Sequence, residues 1–278
     1  MNHNLKIWNN QSSWEEAEEK WDQGQKSYQK THPLKTLSSL PQMPGITKDT
    51  SCNLTWKSTK YLLTRDKKKI FWRYFFRAPI KHSYRFISSL FTKSYSRDQD
   101  LFFYGVKDLA TFEKRLACHK NHLLVIGFSY CHKPFECPSK RFSADCIHDP
   151  NHPVCRQCFI GKAVNALPNR AHIIPLFIPT VHYIGEKCFE LIFAHPDKQV
   201  FFLITACELT LTMFADWGNM IGIQGIGIRL DGRICNTMKA FELSEEGIKP
   251  GLTVVLDDTQ KLMLNLIRSL WRNTDEKA

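Results

Sequence analysis

From about residue 98 onward, short apolar runs alternate with stretches of helical periodicity. HLLVIGFSY (122–130), HIIPLFIPT (172–180), QVFFLITA (199–206) and IGIQGIGIRL (221–230) are the runs; FIGKAVNAL, VHYIGEKCFELIFAH and CELTLTMFADWGNM lie between or after them. A near-continuous apolar run suits a strand covered on both faces, and strands separated by helices pair in parallel, because a parallel crossover requires a long connection. LTVVL (252–256) is a further candidate strand. DDTQKLMLNLIRSLWRN then reads as a helix with Leu262, Met263, Leu266, Ile267 and Leu270 on one face.

This pattern predicts an α/β fold with a mainly parallel open sheet, Rossmann- or flavodoxin-like, over 98–278. At 43% hydrophobic residues the chain can bury a substantial core. Ahead of that domain, Ser13-x-x-Glu16 is a capping-box pattern opening a helix before Pro33, and residues 31–60 have the Pro, Gly, Ser and Thr content of a linker. The first twenty residues lack an apolar core of signal-peptide length, and no stretch is long and apolar enough to span a membrane. The expected compartment is the cytoplasm, where thiols stay reduced.

The net charge of +11 is concentrated. Residues 65–97 carry ten Lys or Arg against one acid, Asp66. Arg73, Arg77, Lys81 and Arg85 recur every four residues with aromatic side chains between them, so 61–97 reads as a basic, partly helical arm that Pro79 kinks or divides. Its face either packs on the domain, meets an anionic membrane surface or binds nucleic acid. Nucleic acid is the weakest of these expectations, since no groove-reading motif is present.

The stretch between the first run and the following helix is unusual. It holds Cys131, Cys137, Cys146, Cys155 and Cys158, among four prolines that disfavour regular structure. Cys155-x2-Cys158 lets two sulfurs turn toward one ion, as in zinc sites and iron–sulfur ligand runs. So long a connection inside a compact domain needs something to organise it, and a metal would serve. Unliganded buried thiols are the plainer alternative. His132, His148 and His152 are substitute donors.

Cys207 follows the run 199–206 and Cys235 lies just after 221–230. If these strands are parallel, both join Cys131 at the carboxyl edge of the sheet, where open α/β sheets bind ligands. Thr205-Ala206-Cys207-Glu208 fits a capping box and would place Cys207 in a first helical turn, where the helix dipole favours a thiolate. Cys207 is therefore the candidate reactive residue, and Arg229 and Arg233 are candidates to hold an anion. The glycines at 222, 225, 227 and 232 do not fit a dinucleotide fingerprint and suggest close backbone packing.

Three segments, PVCRQCFIGKA, ITACEL and IQGIGIRLDGRICNT, resemble the uncharacterised family known as domain of unknown function 116, over roughly residues 120–256. The resemblance implies that Cys137, Cys146, Cys155, Cys158, Cys207 and Cys235 are the positions of interest. It departs from the family pattern where Arg156, Gln157, Phe159, Ile160 and Gly161 surround Cys158, a segment richer in cysteine in that family. The expectation is a cysteine-ligated metalloprotein with an iron–sulfur cluster in redox or sulfur-transfer chemistry, served by a redox or protein partner. Cys137, Cys146, Cys155 and Cys158 are the expected ligands, Cys131 a substitute, and Cys207 and Cys235 complete the site. The rival expectation is a zinc-stapled interaction module acting through the basic arm.

Overall fold

The structure is a computed structural model, and it describes residues 6–7, 13–31, 45–91, 95–118, 121–168 and 172–275. The chain passes through α1 (Trp14–Thr31), a single turn α2 (Lys48–Ser51), α3 (Leu54–Thr64), α4 (Ile70–Phe75) and α5 (Pro79–Phe91). Strands β1 (Ser96–Asp98) and β2 (Leu101–Tyr104) and helix α6 (Leu109–Cys118) follow. Then come β3 (His122–Ser129), a 3-10 turn over Tyr130–His132, α7 (Pro153–Gln157), α8 (Phe159–Asn165), β4 (Ile173–Ile178), α9 (Val181–Ala194) and β5 (Gln199–Ala206). The last elements are α10 (Glu208–Ile221), β6 (Gln224–Arg229), β7 (Asp231–Gly232), α11 (Met238–Glu245), β8 (Thr253–Val254) and α12 (Asp257–Asp275).

Six strands form one sheet in the order β1-β2-β6-β5-β3-β4. β6, β5, β3 and β4 pair in parallel, while β2 lies antiparallel to β6 and β1 antiparallel to β2. The four long runs seen in the sequence are thus the parallel strands, and the sheet is mixed with a mainly parallel centre. β5 and β3 are buried almost throughout because helices cover both faces. On one face Phe112 and Leu116 of α6, Phe159 and Ile160 of α8 and Met263 and Ile267 of α12 pack against Leu124, Ile126, Phe201 and Leu203. On the other, Ile184 and Cys188 of α9 and Leu211 and Phe214 of α10 meet Val125, Phe202 and Ile204.

The glycines of β6 do what close packing requires. A Cβ on Gly225 would lie 2.1 Å from the carbonyl oxygen of Phe202 on β5. The candidate strand 252–256 shrinks to β8, which pairs with β7 outside the main sheet.

One reading of the N-terminal region changes. Residues 45–60 do not behave as a linker: α3 buries Leu54, Tyr61 and Leu62 against Val181, Leu209, Met213 and Phe241 at the carboxyl edge of the sheet. The rest of the expected linker, 32–44, lies outside the described residues. Pro79 divides the basic segment, as its chemistry dictates, and opens α5 at the first helical position, where its missing N–H goes unneeded. α1 rests Trp21 on Ile234 and Val254.

Gly225→Ala should force β5 and β6 apart and lower stability by about 2 kcal/mol or more. The urea unfolding midpoint checks this; an unchanged midpoint would contradict the close approach of these two strands.

Candidate functional site

β3 and β5 lie side by side, yet the chain leaves β3 toward β4 on one side and leaves β5 toward β6 on the other. Crossovers that diverge in this way open a crevice at the carboxyl ends of the two strands. Cys131 and Cys207 stand there, one in the 3-10 turn after β3 and one between β5 and α10. Cys235, beyond β7, joins them beneath α11. All three are buried, and α3 roofs Cys207 and Cys235 from the N-terminal side.

Hydrogen bonding makes these thiols unequal. Cys235 Sγ accepts from Lys249 Nζ at 3.4 Å and lies 3.4 Å from Ser244 Oγ, and Cys207 Sγ lies 3.2 Å from Thr210 Oγ1. The Cys207 thiol, the Lys249 ammonium and the Ser244 hydroxyl together hold Cys235 well below the usual thiol range, against the opposing effect of burial. Cys207 is pushed up, first by donating to Cys235 and then by burial. Burial by itself would lower Lys249, but Cys235, Cys131 and Cys207 raise it. The directions of these shifts favour a thiolate on Cys235, beside the Lys249 ammonium, over one on Cys207. These directions differ from the expectation of a thiolate at Cys207.

The capping box also fails, for a local reason. Thr205 is still in β5 and its hydroxyl donates to Gly127 O at 3.3 Å and lies 3.0 Å from His132 Nε2, while Cys207 itself occupies the N-cap without a side-chain cap. Glu208 instead accepts from Arg97 Nη1 at 2.6 Å.

A void of about 20 Å³ borders Cys131 and Cys207, lined also by Thr210, Ser244 and Glu245. Glu245 also lines a wider cleft of about 330 Å³ bounded by Arg65, Lys68, His182, Tyr183, Glu186 and Glu242. This half-buried carboxyl therefore stands between the thiols and a space of small-molecule size. Burial pushes it up to about 8, although Val181 N donates to Glu245 Oε2 at 2.7 Å.

The other four candidate cysteines gather elsewhere. Cys137, Cys146, Cys155 and Cys158 line one void of about 10 Å³, together with Lys133, Ile160 and Gly161. Among the described residues, no three or more Cys, His, Asp or Glu side chains are drawn into metal-holding geometry. The four cysteines lining the void are the donor set that a four-thiolate site would require. Gly161 is needed here: its Cβ would meet Cys155 O at 2.1 Å, so only glycine lets α8 begin so close to α7.

The loop is held by two cations that carry no local signal in the sequence. Lys133 is buried and donates through Nζ to Asp145 O at 2.6 Å and Ser143 O at 3.0 Å. Burial lowers it, and the neighbouring thiols of Cys137, Cys146 and Cys158 oppose that. Arg141 ties the loop to the rim through Cys131 O at 3.0 Å and Lys249 O at 2.8 Å.

The expected anion sites are corrected. Arg229 is consumed by Asp100 Oδ1 at 2.6 Å and Asp231 Oδ2 at 3.0 Å. Arg233 is consumed by Glu18 and, at 3.1 Å, by Asp22 Oδ1. Each guanidinium already holds carboxylates of its own chain. His148 and His152 serve local turns, at Cys146 O and Val154 N.

No family model, no curated protein and no solved structure matches the chain. The site therefore stands on its geometry.

Because Glu245 is raised above the ordinary carboxyl value of 4.5 to about 8, its protonated form fits the fold best. Its contribution is full below pH 4.5 and is lost as pH climbs through 8. Glu245→Gln should leave thermal stability at pH 5 nearly unchanged and raise it relative to wild type at pH 9, by on the order of 3–5 kcal/mol if the full shift is realised. Parallel melting curves at the two pH values decide this.

Proposed function

We propose that the protein is a cysteine-based metalloprotein with two thiol centres. Cys137, Cys146, Cys155 and Cys158 hold one metal ion, and Cys131, Cys207 and Cys235 with Lys249 form a separate centre for redox or sulfur-transfer chemistry. The observation that carries this reading is the sorting of six cysteines around two voids, four in the loop and two at the rim, with Cys235 beside Cys207 at the second.

The small loop void supports zinc, which takes four thiolates at about 2.3 Å. An iron–sulfur cluster on the same four thiolates is the alternative, and it would require the loop to open. The metal would staple an irregular loop, and Lys133 would offset part of the negative charge that four thiolates bring. The three motifs shared with domain of unknown function 116 fall on α7 and α8, on the β5–α10 junction and on β6–β7, and membership of that family is part of the proposal.

At the rim, the Cys235 thiolate is the nucleophile. It attacks one sulfur of an incoming organic disulfide, forming a mixed disulfide and expelling one thiolate. Cys207 then attacks the Cys235 sulfur and expels the second thiolate, to which its proton passes. The chain ends with a Cys207–Cys235 disulfide and the substrate as two reduced sulfurs. Lys249 positions and stabilises the thiolate, and Glu245, protonated at neutral pH, lets a substrate approach without meeting a negative charge.

Purified anaerobically, the chain should carry about one zinc and no acid-labile sulfide. Cys155→Ser or Cys158→Ser should lose the metal; Cys207→Ser should retain it but fail to form the disulfide with oxidised dithiothreitol, read as the missing two-hydrogen mass loss. Iron with sulfide would assign the loop to the cluster, and loss of metal in Cys207→Ser, or no metal at all, would overturn the two-centre reading.

A further inference from the structure

The basic segment uses only part of its aromatic content for packing. Ile70 and Tyr74 of α4 are buried, and with Phe71, Phe75 and Phe86 they pack against Phe189, Phe193, Met220 and Ile221. Tyr74 stacks on Phe189 with ring centroids 4.9 Å apart. His82 of α5 is buried against Phe75, Phe189 and Phe193. This face holds the two helices to α9 and α10.

The opposite face is bare and apolar. Trp72, Phe76, Ile80, Tyr84 and Ile87 are 46%, 64%, 86%, 74% and 53% exposed. A spacing of four puts Trp72 and Phe76 on one side at the end of α4, and spacings of four and three put Ile80, Tyr84 and Ile87 on one side of α5. Trp72 stacks on Phe76, at 5.7 Å between centroids, at the end of α4. Each is followed by a cation or a small polar residue: Arg73, Arg77, Lys81, Arg85 and Ser88.

Those cations are only partly neutralised. Lys68 and Arg73 share Glu186, and Arg65 faces Glu242. No ion pair to Lys67, Lys69, Arg77, Lys81 or Arg85 forms among the described residues. The segment's one acid, Asp66, is turned to the amide of Phe71 at 2.8 Å.

We propose that the α4–α5 ridge is a peripheral docking surface for an anionic membrane, in addition to the thiol chemistry. The five apolar side chains enter the boundary between headgroups and acyl chains, and the flanking Lys and Arg meet lipid phosphates and carboxylates. No helix among the described residues is long and apolar enough to cross the membrane, so attachment is to its surface. Charge selects this occupant. A second copy of the same face would set like cations against one another. A nucleic-acid strand would leave Ile80 and Ile87 in water, because neither offers a stacking face.

The test is flotation of the full chain with vesicles of phosphatidylcholine alone and with about 30% phosphatidylserine added. Wild type should float with the anionic vesicles only, and less at high salt. Ile80→Ser with Tyr84→Ser, both at exposed positions, should weaken binding at least tenfold with the melting temperature unchanged. Lys69→Glu with Lys81→Glu should do the same and reduce the salt dependence. Equal binding to neutral vesicles, no binding to either, or unaltered binding by both double variants would overturn the proposal. Self-association or nucleic-acid binding that disappears in the Ile80/Tyr84 variant, without vesicle binding, would also overturn it and assign the ridge to that occupant.

Discussion

Parallel pairing of β3 with β5, from His122 opposite Gln199 to Phe128 opposite Thr205, is the constraint on which the site depends. Because side chains alternate and both strands end at the same level, this register delivers Ser129, Cys131 and Cys207 to a single crevice. A slip of one residue would turn Phe201, Leu203 and Thr205 to the wrong faces and separate Cys131 from Cys207. Thr205 guards the register at its open end, since its hydroxyl reaches Gly127 O and accepts from Ser129 N.

Around that crevice the fold assembles polar groups that burial alone would reject. A lysine and three thiols are buried together beside the half-buried carboxyl of Glu245, and they are tolerable because they neutralise or hydrogen-bond one another. Arg141 links the rim to the cysteine loop through backbone carbonyls at Lys133, Cys131, Lys249 and Gly251. The loop is thus partly ordered by side-chain-to-backbone bonds, and a metal would complete an organisation already begun.

The parallel strands were legible because each is a long run buried on two faces. β2 was not: LFFY is buried throughout and too short for periodicity to separate strand from helix. α3 escaped notice in a stretch rich in Ser and Thr, although Leu54, Tyr61 and Leu62 have helical spacing that could have found it. The seven cysteines were visible individually, but their division was not, since spacing along the chain says nothing about which side of a crevice a loop descends. Lys133, Arg141, Glu245 and Lys249 carried no local signal; only the folded chain brings them to the thiols. Arg229 and Arg233 looked like anion ligands because their partners, Asp100, Glu18 and Asp22, are distant in sequence.

The central claim is that the loop thiols and the rim thiols are separate centres. Mass-spectrometric mapping of cysteine alkylation, on the native chain before and after removal of metal with a chelator, tests it most directly. The account predicts that Cys137, Cys146, Cys155 and Cys158 become reactive together on chelation while Cys131, Cys207 and Cys235 keep their reactivity unchanged. Release of Cys207 and Cys235 along with the loop thiols would contradict it, and would mean that one metal centre draws on both groups.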